Sequence, residues 1–477
     1  MIGRERETKE LCRLYDSGRP ELVAVYGRRR VGKTYLVDET FSGRFAFRHA
    51  GLSPADVNAR GSLRAQLHHF YNSLVTQGMQ RCTKPTNWLD AFLLLELFLQ
   101  KKDDGTRQVV FLDELPWLDT AKSGFMTAFE AFWNTWGCHR KNLMVVVCGS
   151  AISWMQNTLL NNHGGLYGRV TYEIKLMPFT LHECEEFYHN RNVQMSRCDM
   201  VQAYMIFGGI PYYLGYMAPE MSLAQNVDNI LFARNAKLRD EFERLFQSIF
   251  TNPDAVKAIV RLLFGRNAGY TRKEIIEKLG ISDGGGLSRN LNALLVSDFI
   301  VKYVPFGCSK REEHFKLVDP FCLFTLHFLQ KHSLANDCFW QQNLSSPTIV
   351  AWRGYAFENV CFNHIAQIKK ALGVSGVVST HSAWSKRGDD ITGTQVDLLI
   401  TRNDNVVNMC ECKFYGDDFT VDKDYYRVLL HRMELLKDQL SPKYSIHNTL
   451  ITTFGLSRNE YSGVFSHVLS LDDLFEP

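Results

Sequence analysis

Residues 27–34 read Gly27-Arg28-Arg29-Arg30-Val31-Gly32-Lys33-Thr34, and no other stretch of the 477-residue chain narrows its fold as far. The apolar run Leu22-Val23-Ala24-Val25-Tyr26 precedes it and predicts a strand; Thr34 to Glu39 predicts a helix after it. Between a strand and a helix, the spacing G-x-x-x-x-G-K-T makes a cradle for phosphate. Gly27 and Gly32 let the backbone bend closely with no Cβ in the way. The N–H groups of Arg28, Arg29, Arg30 and Val31, and the helix N-terminus behind them, favour an anion. Lys33 can reach β- and γ-phosphates, and the Thr34 hydroxyl can hold Mg²⁺. The implied ligands are ATP or ADP with Mg²⁺.

Further along, Arg107-Gln108-Val109-Val110-Phe111-Leu112-Asp113-Glu114 places two carboxylates after an apolar run. A buried strand delivers such acids to the sheet edge where phosphates lie. Asp113 is placed to hold Mg²⁺, and Glu114 to orient and polarise the attacking water. Leu143-Met144-Val145-Val146-Val147-Cys148-Gly149-Ser150 predicts another buried parallel strand. Ser150 then either senses the γ-phosphate or caps the following helix. The alternation of strands and helices predicts an α/β domain with a mainly parallel sheet.

The length predicts about three or four domains, with boundaries at 1–177, 178–250, 251–330 and 347–477. Hydrophobic residues at 45% and charged residues at 22% are ordinary for a soluble globular chain. A net charge of +3 neither demands nor excludes nucleic acid, because a basic face can hide in a neutral total. No export signal opens the chain. The most apolar helix, Phe92 to Leu99, is too short to span a bilayer and contains Glu96. The expectation is a cytoplasmic protein with no membrane partner, its scattered cysteines reduced.

From Pro178 the pattern is helical, broken at Gly208-Gly209-Ile210-Pro211, and reads as a helical lid. Thr271 to Glu274 fits a capping box with a helix through Lys278 and a stop at Gly280. A second helix over Leu287 to Val296 and strands over 299–303 and 314–318 complete a winged-helix pattern. Ser288, Arg289 and Asn290 then lie at a DNA groove with Lys310 and Arg311 on the wing, or the module only packs against protein. In the last domain, Trp352 to Lys369 predicts one amphipathic helix bearing Glu358. Gln395 to Ile400 and Val406 to Phe414 predict a hairpin. On alternating strands Glu411 and Lys413 share a side, and Asp397 joins them from the partner strand. Two carboxylates and an amine can hold Mg²⁺ and position water against a phosphodiester. Cys410 and Cys412 point away from Glu411 and read as packing.

With these motifs in place, the chain resembles the archaeal-type ATPases, a P-loop branch related to AAA+ and STAND proteins. The resemblance rests on Gly3-Arg4-Glu5, Gly27 to Thr34, Leu112-Asp113-Glu114, Val147 to Ser150, Gly208 to Pro211, Asp397 and Glu411-Cys412-Lys413. It implies a P-loop core with a helical lid, a winged helix and a C-terminal α/β domain similar to restriction endonucleases. By resemblance, Gly3 and Arg4 lie against the adenine, and Gly209 and Pro211 help close the lid over the nucleotide. Arg169, in Leu166-Tyr167-Gly168-Arg169, contacts phosphate or a neighbouring subunit, or makes a structural salt bridge. The C-terminal domain is similar to the PD-(D/E)-x-K class, which implies Asp397 and Glu411 as Mg²⁺ ligands, Lys413 as the water-positioning residue and Glu358 as an auxiliary acid. Gln395-Val396 stand where that class often has a proline before the aspartate. The whole predicts an ATP-dependent switch coupled to a nucleic-acid-directed domain, with DNA or RNA and a further copy of the chain as partners. Its alternative is a signalling or scaffold ATPase whose C-terminal domain is degenerate.

Overall fold

The computed structural model describes residues 1–53, 62–161, 165–250, 252–309, 312–330, 336–386 and 394–477; the side chains of 385, 386, 394, 395 and 397 also fall outside that description. The chain forms two compact units, residues 1–178 with 243–253, and residues 179–242 with 254–477.

The first unit is an α/β fold built on a parallel sheet. Its strands are β1 (Glu21–Gly27), β2 (Phe45–Ala50), β3 (Gln108–Asp113), β4 (Leu143–Gly149) and β5 (Tyr172–Leu176). They lie in the order β2-β3-β4-β1-β5. Every residue of β1, β3 and β4 is buried, which explains why these strands are continuous apolar runs rather than alternating ones. Val25 pairs with Cys148, and Leu112 with Val147. The three strands therefore finish together, bringing Gly27, Asp113 and Gly149 to one edge. The first helix, Glu5–Tyr15, buries Leu11 and Leu14. Among the described residues no helix is long and apolar enough to cross a membrane.

In the second unit the helices Leu181–Asn190 and Arg197–Phe207 start at Thr180 and Ser196, whose side chains accept from the first turn. The turn after them is sterically demanding. A Cβ on Gly209 would fall 1.9 Å from the Phe179 carbonyl oxygen, and the Phe179 N–H donates to the Gly209 carbonyl. Pro211 begins the short helix Pro211–Leu214.

Helix Pro253–Phe264 is followed by β6 (Tyr270–Thr271), helix Arg272–Leu279, helix Gly285–Val296, β7 (Ile300–Tyr303) and β8 (His314–Leu317). The predicted hairpin gains a third strand, in the order β6-β8-β7. Two residues are too short to show a period, so β6 left no trace in the pattern. Thr271 and Glu274 make the predicted capping box, and Gly280 ends that helix at φ 62°. Ser288 and Arg289 are exposed and Asn290 is half-buried. Lys310 and Arg311 lie outside the described residues.

The C-terminal sheet comprises β9 (Ser379–Lys386), β10 (Thr394–Arg402), β11 (Val406–Lys413), β12 (Ser445–Thr452) and β13 (His467–Leu469). Strands β9, β10 and β11 are antiparallel neighbours, while β11, β12 and β13 run parallel. Parallel neighbours need a crossover, and helix Lys423–Lys437 supplies it between β11 and β12. Its Leu429 and Leu436 pack with Trp384, Leu399, Met409 and Leu450. The single helix expected over 352–369 is two, Pro347–Asn363 and Ile365–Ala371, broken at His364. The buried His364 ring makes the break intelligible. Its Nδ1 donates back to the Val360 carbonyl at 2.8 Å and its Nε2 accepts from the Leu181 N–H at 3.1 Å. Burial lowers its pKa to about 4, in keeping with a neutral ring that accepts at one nitrogen.

Candidate functional site

The edge where β1, β3 and β4 end collects the residues expected to bind nucleotide. Gly27 has no room for a side chain, since a Cβ there would sit 2.3 Å from the Leu176 carbonyl oxygen on β5. Gly32 caps the helix Lys33–Thr40 at φ 92°, and Arg30 holds φ 72°. Both are left-handed conformations that bend the loop over the helix N-terminus; at a residue other than glycine such a bend costs about 1–3 kcal/mol and tends to mark functional loops. Lys33 is buried, and its Nζ donates to the Gly27 and Arg28 carbonyls at 3.0 Å each. Burial pushes its ammonium below the usual lysine range, against the pull of Glu114 and Asp113. Arg28 and Val31 are buried in the loop, and the Arg29 guanidinium lies 5.9 Å from the centre of the Trp117 ring.

Thr34 Oγ1 donates to Asp113 Oδ2 at 2.8 Å. The two predicted Mg²⁺ ligands therefore meet, one from the helix and one from β3. Burial and the neighbouring Glu114 raise the Asp113 pKa, opposed by the Thr34 hydrogen bond. Glu114 sits at φ 46°, ψ 50°, the sharp bend that turns β3 into helix Leu115–Leu118. Its Oε2 accepts from the Ser150 N–H at 3.1 Å and the Ser150 hydroxyl at 2.8 Å. β4 lies between β1 and β3, so its end brings Ser150 to Glu114. Ser150 does not cap the next helix, whose first flanking residue is Ala151.

Arg4 packs against the phosphate loop. Its guanidinium is buried and donates to the Met177 carbonyl at 2.8 Å and the Val31 carbonyl at 3.3 Å. That fixes the phosphate loop to the end of β5. Gly3 stands beside it at φ 60°. Arg169 is exposed, and no salt bridge among the described residues holds it.

Two more glycines close this edge: Gly149, which belongs to the predicted strand, and Gly51, which sequence reasoning missed. A Cβ on Gly51 would lie 2.9 Å from the Glu114 carbonyl oxygen, and one on Gly149 would lie 2.6 Å from Met155 Sδ and 2.9 Å from Pro116 Cδ. They let neighbouring strand ends close around the Glu114 bend. Gly149 ends an apolar strand; Gly51 follows β2, whose Arg48 and Ala50 are exposed, so no apolar run announces it.

In the C-terminal domain, β11 buries Glu411. Tyr425 Oη donates to its Oε2 at 2.6 Å, and Lys413 Nζ lies 3.4 Å from the same oxygen. Arg432 donates to Oε1. Lys413 Nζ lies 5.2 Å from the centre of the Tyr425 ring. Glu358, on helix Pro347–Asn363, accepts from Asn267 Nδ2 at 2.8 Å. Burial raises its pKa, while Lys316, Asn267 and Lys413 pull it down and Glu411 pushes it up. Glu358, Glu411 and Lys413 thus lie close enough to influence one another, and Arg432 and Tyr425 stand among them unannounced. The Asp397 side chain lies outside the described residues. Cys410 and Cys412 are buried. Among the described residues no group of three His, Cys, Asp or Glu side chains could hold a metal ion.

The chain is 24% identical over 412 residues to an uncharacterised protein of Methanocaldococcus jannaschii, covering 85% of each. Solved structures similar to it include a Walker-type ATPase of Pyrococcus abyssi, at 16% identity and TM-score 0.47 over 69% of this chain and 96% of that one. The Aeropyrum pernix ORC2 protein, solved as ADPNP–ADP complexes, is 15% identical with TM-score 0.44 over 72% and 96%. Residues 1–217 match the family described as an ATPase domain predominantly from Archaea. Over those residues the chain is similar to that ATPase domain.

Proposed function

We propose that this chain is an ATP-binding and ATP-hydrolysing switch protein that couples its nucleotide state to a nucleic-acid-directed C-terminal domain. One observation carries the first half: Lys33, Thr34, Asp113 and Glu114 converge where β1 and β3 end, at a loop whose Gly27 has no room for a Cβ against β5. Those residues fit ATP with Mg²⁺. The loop N–H groups and Lys33 take the phosphates, and Thr34 and Asp113 hold the cation. Bound Mg²⁺ supplies charge neutralisation on the phosphate oxygens. Glu114 orients water, and Ser150 holds the Glu114 carboxylate by two hydrogen bonds. Pro211 belongs to the lid half of the same proposal.

Lys33→Ala removes the phosphate contact and weakens ATP about 10- to 100-fold, as expected for a charge-assisted hydrogen bond. Undiminished affinity would sink the assignment. Glu114→Gln keeps ATP binding and lowers kcat by about 10²- to 10⁴-fold, the usual worth of a general base. Unchanged turnover in that variant assigns the water to another residue.

The second half rests on the helix–strand–helix–helix–hairpin run over 253–317, read as a winged helix, and on the ααβββαβ order of 347–452, read as restriction-endonuclease-like. An acid, acid and lysine set of Asp397, Glu411 and Lys413, with Glu358 beside it, is the equipment of a Mg²⁺-dependent nuclease. The hold of Arg432 and Tyr425 on Glu411 favours the other reading, a domain that binds without cutting. Incubation with Mg²⁺ and duplex DNA, single-stranded DNA or RNA, with ATP, ADP or neither, separates the two. Cleavage lost in Glu411→Ala establishes a nuclease; no cleavage alongside ATP hydrolysis establishes the binding domain.

A further inference from the structure

We propose that Arg432 is the resident cation of the C-terminal site, standing where a divalent metal would stand against Glu411, so that this carboxylate is an ion-pair acceptor and not a metal ligand. The inference rests on reading residues 347–477 as the nucleic-acid-directed half of the protein.

The argument begins with the helix Lys423–Lys437. Tyr425, Leu429, Arg432, Met433 and Leu436 recur at helical spacing. Leu429 and Leu436 belong to the domain core, and Tyr425 and Met433 pack against it. Arg432 therefore lies on the inward stripe of the helix, where a charged residue needs a partner. Its partner is Glu411, which β11 buries to 1% exposure between Cys410 and Cys412. A buried carboxylate needs its charge met as well. Arg432 meets it at Oε1, and Tyr425 Oη and Lys413 Nζ meet it at Oε2.

A divalent ion bound to Glu411 needs at least one of these oxygens and a second anionic ligand within reach. Both oxygens already have donors. Glu358, the nearby acid among the described side chains, is held by Asn267. A metal arriving here would also meet two cationic groups, Arg432 and Lys413, beside the carboxylate it must bind. With Arg432 in place the donor set fits an arginine and not a metal ion; without it, Oε1 loses the donor that excludes one. It leaves the domain able to meet phosphate through cationic groups, with no metal-dependent step at Glu411.

The test counts Mn²⁺ bound by the full-length protein without nucleotide, by the electron paramagnetic resonance of the free ion. Wild type, Glu411→Gln, Arg432→Met and the double variant carry the same phosphate loop, so differences among them report on the C-terminal site. Wild type and Glu411→Gln should bind the same number of ions. Arg432→Met should gain one ion, which the double variant loses. An ion bound by wild type and lost in Glu411→Gln overturns the proposal, because the carboxylate would then take metal with Arg432 in place. A folded Arg432→Met that gains no ion also overturns it. Should Arg432→Met not fold, the comparison of wild type with Glu411→Gln still decides, since glutamine keeps an acceptor for Arg432. Nucleotide binding measured on the same samples keeps the tests apart: its absence from wild type defeats the ATP-switch reading and leaves the ion count unaltered.

Discussion

Glu411 and Arg432 show how a single substitution can separate charge from packing. Arg432→Met preserves much of the side-chain volume but leaves a buried carboxylate without its guanidinium. Breaking such a pair from one side costs about 3–5 kcal/mol. Removing both charges, as Glu411→Gln with Arg432→Met, should recover more than half of that loss. Urea midpoints for the three proteins check it; a single variant as stable as wild type means that Lys413 and Tyr425 alone satisfy the carboxylate. Gly27 is the counterpart in the first unit. Gly27→Ala drives a methyl into the Leu176 carbonyl, 2.3 Å from the ideal Cβ, and costs about 1–3 kcal/mol as overpacking. It should cost ATP affinity as well, because the loop must shift to make room. Unaltered stability and affinity together would mean that the strand ends yield freely. These two residues differed in legibility. Gly27 is announced by a local motif whose spacing follows from phosphate geometry. Arg432 meets Glu411 across 21 residues of chain and is recognisable only as a charge on an otherwise apolar stripe.

At the scale of elements, periodicity located the buried strands well and the breaks poorly. β1, β3 and β4 are continuous apolar runs, and their order in the chain set the site residues in place. The break at His364 was hidden because Phe357, Val360, Cys361 and Ile365 keep helical spacing across it. Tertiary hydrogen bonds to Val360 and Leu181 decide that point, and no local pattern records them. The same ring gives this element a pH dependence. Its pKa, about 4 when folded, lies below the ordinary value of 6.5. Between those values the unfolded chain binds the proton and the folded chain does not. Stability from His364 is therefore complete above pH 6.5 and is lost as pH falls towards 4, by about 3 kcal/mol at most. His364→Gln retains an acceptor for the Leu181 N–H and removes the titration. Its unfolding free energy should fall less between pH 7 and pH 4.5 than that of the wild type. Parallel declines would assign the acid sensitivity to other groups, the buried His49 among them, whose pKa is lowered to about 3.

For the molecule as a whole, the switch reading makes a claim that no single site can test. If ATP at the phosphate loop changes the affinity for nucleic acid by some factor, nucleic acid must change the affinity for ATP by the same factor. Couplings of this kind commonly amount to about 5- to 150-fold. The comparison uses Glu114→Gln, which should retain ATP through the measurement. Its affinity for a labelled oligonucleotide is measured with and without saturating ATP, and its ATP affinity with and without saturating oligonucleotide. Equal ratios above about 5 identify a switch, and the oligonucleotide that gives the larger ratio, DNA or RNA, names the partner. Phosphate contacts predict that the oligonucleotide affinity falls steeply with salt. The coupling ratio should fall less, because the same contacts enter both of its terms. Ratios of one at every salt concentration would leave an ATPase and a nucleic-acid binder sharing a chain without communication. Unequal ratios would break the thermodynamic cycle, and would mean that one of the four affinities was read before equilibrium.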